Sequence, residues 1–190
     1  MGVFKDFLKD SESLFLNAVA LDPEFMPKEI PYREQQQHYI AECIKPLFQG
    51  RSGKHLFITG KPGIGKTLAV KHLFRELEDE TNEVLPLYIN CWKRDTSFRI
   101  VSDICEQIGY TWTHNKKTDE LFQDIVKILN KKSVVLCLDE CDKAKELDIL
   151  YTFLEDVYKK TILFITNNDG WLASLDSRLR SRLLSHQHWR

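Results

Sequence analysis

Eight residues, Gly60 to Thr67, read Gly-Lys-Pro-Gly-Ile-Gly-Lys-Thr and meet the pattern G-x-x-x-x-G-K-[ST] at every required position. Each position has a physical task. The glycines let the loop turn back so that its N–H groups face inward at phosphate oxygens. Lys66 supplies a cation for the β- and γ-phosphates of a nucleotide, and Thr67 a hydroxyl for magnesium. Such a loop must join a strand to a helix, and both flanks comply. His55-Leu56-Phe57-Ile58-Thr59 is a short apolar run, while Leu68, Val70, His72, Leu73 and Leu77 lie on or near one side of a helical pattern. The helix N-terminus adds a partial positive charge to the anion site. The candidate nucleotide contacts are therefore Gly60, Pro62, Gly63, Ile64, Gly65, Lys66, Thr67 and Leu68.

The rest of the chain suits an α/β fold. Its 190 residues, 43% hydrophobic, can bury one core of ordinary size. From Arg33 to Phe48 apolar positions recur at three and four, and Gly50 ends the pattern, which predicts an amphipathic helix. Val84 to Asn90 reads as a strand with Pro86 near its start. Ser97 to Ile108 reads as a helix closed by Gly109, and Leu121 to Leu129 as another with Thr118 as its N-cap. Ser133 to Leu138 is a continuous apolar run of the kind buried in parallel sheets. A helix through Leu147 to Val157 and a buried strand from Ile162 to Thr166 follow. Strands alternating with helices predict a parallel sheet. Ahead of this, residues 1 to 20 suggest a short helix or pair of turns, and Pro23, Pro27 and Pro31 disfavour helix through Leu21 to Tyr32, predicting an extended arm. The domain reading is thus an arm over 1–32 and a nucleotide-binding domain over 33–190.

Charge and cysteines narrow the classes. With 27 basic against 28 acidic side chains the chain has no global electrostatic footprint for nucleic acid, so DNA contact requires a local patch. Five cysteines without a C-x-x-C pair fit a reducing compartment and packing roles better than a disulfide framework or a metal site. The N-terminal apolar stretches are broken by Lys5, Asp6, Lys9 and Asp10, which argues against a signal peptide or a membrane span.

Further chemistry follows the loop. The third strand ends in Asp139-Glu140, at the carboxyl edge where ligands of open α/β sheets bind. Asp139 is positioned to hold magnesium opposite Thr67, and Glu140 to act as base for an attacking water. The fourth strand ends Ile165-Thr166-Asn167-Asn168; Asn167 is the candidate to orient that water or sense the γ-phosphate, while Asn168 through Gly170 reads as a turn. Ser177 to Arg182 carries three arginines in five residues, either a solvated basic face or a source of an arginine for a neighbouring subunit's phosphate.

Together these features resemble the AAA+ ATPases. Leu21 to Pro27, Ile30 to Gln35, Tyr88-Ile89-Asn90-Cys91, Leu138 to Lys143 and Leu175 to Arg182 resemble more narrowly the replication initiators of the origin-recognition-complex and cell-division-control type, including their archaeal relatives. The resemblance implies a three-layer P-loop core with strand order 1-4-3-2, a fifth strand missing or incomplete, and ATP or ADP with Mg2+ as ligands. It places Pro31, Tyr32 and Arg33 near the adenine, makes Asn167 the polar strand-end sensor, and makes Arg182 a finger that serves the next subunit. It also implies a helical hairpin that touches DNA in the segment 92–117, with Trp92, Lys93, Arg94, Arg99 and Trp112 as candidates, and a cytoplasmic, nucleoid-associated setting, or a nuclear one in a eukaryote. Relatives continue into a helical lid and a winged helix, whereas this sequence stops at Arg190, either as a fragment or as a minimal relative; without a lid, weaker nucleotide affinity and slow turnover are expected, and His186, His188 and Trp189 read either as the start of a fifth strand or as a frayed terminus. The leading expectation is a weak ATPase module of an initiator-like protein whose nucleotide state governs assembly and engagement of DNA or helicase. The alternatives are a nucleotide-dependent switch with little hydrolysis and a helicase or transposase loader.

Overall fold

The computed structural model describes residues 33–113 and 115–183, together with the backbone of residues 188 and 189. The expected N-terminal helix, the arm over 21–32 with Pro31 and Tyr32, and His186 lie outside the described residues.

The predicted helix from Arg33 to Phe48 divides. Helix α1 spans Glu34–Ile44, burying Ile40, Cys43 and Ile44, and a 3-10 turn over Lys45–Gln49 continues it to Gly50. Pro46 explains the break, because it has no N–H to donate to the carbonyl one turn earlier. Then follow β1 (Leu56–Ile58), α2 (Lys66–Glu80), β2 (Val84–Asn90), α3 (Ser97–Gln107) and α4 (Thr118–Leu129). The chain continues through β3 (Ser133–Asp139), a 3-10 turn (Cys141–Lys143), α5 (Asp148–Asp156) and β4 (Lys160–Ile165). Two short helices, α6 (Trp171–Ser174) and α7 (Ser177–Leu183), precede the two-residue β5 (His188–Trp189). Thr118 is the first residue of α4 and not its N-cap; Lys117 takes that place, its N–H donating to Glu120 Oε2 at 3.3 Å.

All strand pairs are parallel and the sheet runs β2-β3-β4-β1-β5. The expected 1-4-3-2 order holds, and the fifth strand is present in incomplete form beside β1. Pro86 is the third residue of β2, not its first, and it is tolerated because β2 is the outer strand of this sheet.

Period-two alternation sorts the sheet's side chains into two layers. Leu56, Ile58, Val84, Val135, Cys137, Leu163 and Ile165 face α1 and α2, packing on Ile40, Ile44, Val70, Phe74 and Leu77. Phe57, Leu87, Ile89, Val134, Leu136, Leu138, Ile162 and Phe164 face α3, α4, α5 and the two short helices. In the second layer Phe57 and Phe164 stack at 4.7 Å between centroids, with Trp171 tilted against both at 6.2 and 5.6 Å. Full burial of each such ring is worth up to about 3 kcal/mol.

The register brings the carboxyl ends of four strands level. Asn90 pairs with Asp139, Asp139 with Ile165, and Ile165 with Ile58. The residues just beyond this row, from Thr59, Glu140 and Thr166 onward, therefore meet at one edge of the sheet.

Candidate functional site

The loop between β1 and α2 turns through two left-handed glycines. Gly63 has φ 79° and Gly65, the N-cap of α2, has φ 87°, values at which a side chain would be strained. The first backbone bond of α2 at this end runs from Ala69 N–H to Gly65 O at 3.0 Å. The N–H groups of Lys66, Thr67 and Leu68 precede it, at the positive end of the helix. Pro62, Gly63 and Ile64 form the exposed tip of the loop, and the Arg33 guanidinium donates to the Ile64 carbonyl.

Lys66 folds back into the loop. Only 9% exposed, its Nζ donates to Gly60 O at 2.9 Å, Lys61 O at 3.0 Å and Asn167 Oδ1 at 2.7 Å. Burial pulls this ammonium below the ordinary lysine pKa, while the charge of Asp139 opposes the shift. Two residues predicted separately, 101 positions apart, are thus in direct contact.

Asp139 is 2% exposed and its carboxylate accepts three hydrogen bonds. Oδ2 takes the Thr67 hydroxyl at 2.7 Å and the Tyr88 hydroxyl at 2.6 Å, and Oδ1 takes the Glu140 N–H at 2.9 Å. Such a buried carboxylate needs its donors, since an unpaired one is costly. Burial, then the hydrogen bond to Asp139 and its charge, push the Tyr88 phenol far above the ordinary tyrosine pKa. Sequence reasoning did not single out Tyr88 for this site. The available signal was the alternation of β2, which puts Tyr88 and Asn90 on one face, with Asn90 level with Asp139.

Glu140 adopts a left-handed backbone, φ 52°, unusual for a non-glycine residue. Its carboxylate makes no hydrogen bond or ion pair with a described residue, unlike that of its neighbour. Beyond it, Asp142 accepts the Thr166 hydroxyl at 2.7 Å, tying the turn after β3 to the end of β4, where Asn167 follows. Asn168 closes the expected turn, its Oδ1 accepting the Gly170 N–H at 2.9 Å.

Other predicted residues lie elsewhere. Arg182 donates to Glu155 Oε1 at 2.6 Å and to the Tyr151 hydroxyl at 3.3 Å, with its guanidinium 4.7 Å from the Tyr151 ring centre; both partners belong to α5. Among its described residues, segment 92–117 contains a turn, the helix α3 and a loop, and no second helix. Two of its basic candidates have internal partners: Arg94 pairs with Asp103 at 2.8 Å and Arg99 with Asp95 at 2.7 Å. Trp92 and Trp112 are 67% and 76% exposed, and Lys93 is exposed. All five cysteines are free and buried. No helix among the described residues is long and apolar enough to cross a membrane.

The family model described as an AAA domain matches residues 49–167, the stretch from the last residue of the 3-10 turn to Asn167. The chain belongs to the AAA domain family. Within that family this AAA domain is of the archaeal-like origin-recognition and Cdc6 type. It is 34% identical over 182 residues to the ORC1-type DNA replication protein 1 of Sulfurisphaera tokodaii, covering 90% of this chain and 46% of that protein. It is 30% identical over 201 residues to the corresponding protein of Archaeoglobus fulgidus, covering 96% and 48%. Among solved structures, the ORC1 protein of Aeropyrum pernix in complex with DNA matches with TM-score 0.75 and 28% identity, over 87% of this chain and 46% of that one. Cdc6p of Pyrobaculum aerophilum, at 23% identity and TM-score 0.72 over 85% and 45%, shares the fold. This AAA domain spans about half the length of the curated relatives it matches.

Proposed function

We propose that this AAA domain binds ATP with magnesium and hydrolyses it slowly, as the nucleotide-dependent module of a replication-initiator-like protein. The observation that carries the reading is the convergence of Lys66 on Asn167 and of Thr67 on Asp139, each at 2.7 Å, at the carboxyl edge of one sheet. The residues present fit the ligands. A hydroxyl and a carboxylate are the hard oxygen donors magnesium takes, and the uncapped N-terminus of α2 beside a buried lysine suits phosphate.

Under this reading Lys66 and the N–H groups from Gly63 to Leu68 hold the phosphates, and Thr67 and Asp139 hold the cation. Bound magnesium neutralises charge on the phosphate oxygens. Glu140, whose carboxylate is not engaged with a described residue, accepts the proton of the attacking water, and Asn167 orients that water. The direct Lys66 to Asn167 bond gives the strand-end amide a means of sensing whether the lysine has turned to a phosphate. Among the described residues Arg33, whose guanidinium donates to the Ile64 carbonyl of the loop, is the candidate for contact with the adenine. Trp92 and Lys93 ahead of α3 and Trp112 beyond it are the exposed candidates for DNA contact, since Arg94 and Arg99 already pair with Asp103 and Asp95.

Single-turnover hydrolysis at high protein concentration tests the enzyme reading. Wild type should convert ATP to ADP, and Glu140→Gln should bind ATP but abolish conversion; absence of turnover in wild type would exclude hydrolysis. The second reading, a switch with little hydrolysis, draws on the contacts of Arg182 with Glu155 and Tyr151 of its own subunit, exposed contacts that a neighbour's phosphate would have to replace. In that case ATP and ADP binding alone would shift the assembly state measured by sedimentation.

A further inference from the structure

The carboxylate of Asp139 has a donor that the phosphate-loop pattern does not account for. Tyr88, two residues before the end of β2, reaches Oδ2 at 2.6 Å, while Thr67 reaches the same oxygen at 2.7 Å. The Tyr88 ring is itself held. Lys71, one helical turn after Thr67 on the same face of α2, places its ammonium 4.5 Å from the ring centre. Two side chains therefore meet on one oxygen of Asp139, Thr67 from α2 and Tyr88 from β2, and Lys71 from α2 stands over the Tyr88 ring.

We infer that Tyr88, steadied by Lys71, is a positioning residue that orients Asp139 for a divalent cation. The inference rests on the reading of Thr67 and Asp139 as the cation's ligands. The two hydroxyls on Oδ2 then have different fates. Thr67 is a ligand in its own right, so its hydroxyl leaves the carboxylate for the ion when magnesium is taken up. Tyr88 has no such alternative and lies on the β2 side, so its hydrogen bond persists and fixes the carboxylate rotamer. In a site where Asp139 is 2% exposed, water cannot substitute freely for the lost donor. Outer donors that orient ligating groups typically govern metal affinity by 10- to 100-fold, roughly.

The test is a magnesium titration of the full chain loaded with a fluorescent N-methylanthraniloyl ATP analogue, followed by the analogue's emission. In Tyr88→Phe the half-saturating magnesium concentration should rise about tenfold. Affinity for the analogue measured in EDTA should stay unchanged, because among the described residues Tyr88 makes no hydrogen bond to the phosphate loop and meets it only through Asp139. A purely structural role would lower the melting temperature but leave the magnesium constant where it is, and that result overturns the inference. If the phenylalanine variant does not fold by circular dichroism, Lys71→Met carries the test. It should raise the constant by a few-fold, on the scale of a cation–π contact, and an unchanged constant overturns the inference. Should wild type itself bind the analogue without any response to magnesium, the parent reading fails, and the inference falls with it.

Discussion

Thr67 Oγ1 donates to Asp139 Oδ2 at 2.7 Å although 72 positions separate the two residues. One begins the helix after the loop and the other ends the third strand. Their contact is a consequence of strand order: β3 enters the sheet between β2 and β4, with β1 on the far side of β4, so the start of α2 lies over the carboxyl end of β3. The same edge brings Asn167 to Lys66, and the predictions below follow from that shared location.

Lys66→Ala should abolish measurable nucleotide binding without unfolding the chain. The lysine makes three hydrogen bonds within the loop region, but two of its acceptors are backbone carbonyls close to the surface that water can satisfy. Loss of a charged hydrogen-bond donor to phosphate removes about 1.5 to 3 kcal/mol per contact. Calorimetry showing unchanged ATP affinity would contradict the assignment.

Asn167→Ala should leave nucleotide affinity within a few-fold of wild type while slowing hydrolysis by roughly 10²-fold, the usual scale for loss of one placed polar group at a reacting centre. The pair of measurements is equilibrium binding and single-turnover rate. A parallel loss of both would show that Asn167 acts through Lys66's position alone.

Arg182→Ala should leave the chain's own nucleotide binding intact. The Arg182 and Glu155 side chains are each 41% exposed, so breaking their pair should change stability by less than about 1 kcal/mol. If Arg182 serves a neighbouring subunit, hydrolysis in wild type should rise with protein concentration, and the variant should lose that rise, by up to about 10³- to 10⁵-fold in a fully assembled site. Concentration-independent turnover would remove the intersubunit role.

Acid stability should depend on Asp142. Burial pushes its carboxyl up, but the Thr166 hydroxyl and Lys143, by hydrogen bond and charge, together hold it below the ordinary value of 3.8. A depressed folded pKa means that the unfolded chain binds the proton first as pH falls. The stabilisation is therefore full above 3.8 and is lost as pH drops through the lower folded value. Thermal melts of Asp142→Asn should show a shallower decline with acidification than wild type, and equal slopes would refute the linkage.

Phe164→Ala should destabilise the fold by about 3 to 5 kcal/mol, read from urea denaturation. Phe164 is fully buried, stacked on Phe57 and covered by Trp171, so no solvent path exists for the cavity to relax.

Much of the architecture was legible in short-range pattern. The eight residues from Gly60 to Thr67, the boundaries of β2, and the unbroken apolar run of β3 all depend on neighbours in the chain: glycines where φ is positive, alternation at a period of two, helical spacing at three and four. Helix α1 was readable as well, although Pro46 converted its last turn to 3-10 geometry, a local effect that periodicity alone does not weigh. The capping of α4 by Lys117 in place of Thr118 is a one-residue shift of the same local kind.

What lay beyond such pattern was the pairing of side chains across elements. No spacing rule joins Tyr88 to Asp139, Arg182 to Glu155, or Arg94 to Asp103, whereas the Arg99 to Asp95 pair is a four-residue spacing that the sequence carried. Composition and periodicity named the residue types that phosphate and magnesium require, because those requirements are chemical and confined to a few adjacent positions. Which donors complete Asp139, and which arginines are already engaged, follow from the register of parallel strands and the packing of helices over them. Those are distances set by burying two apolar layers, and they exist only once the chain has folded.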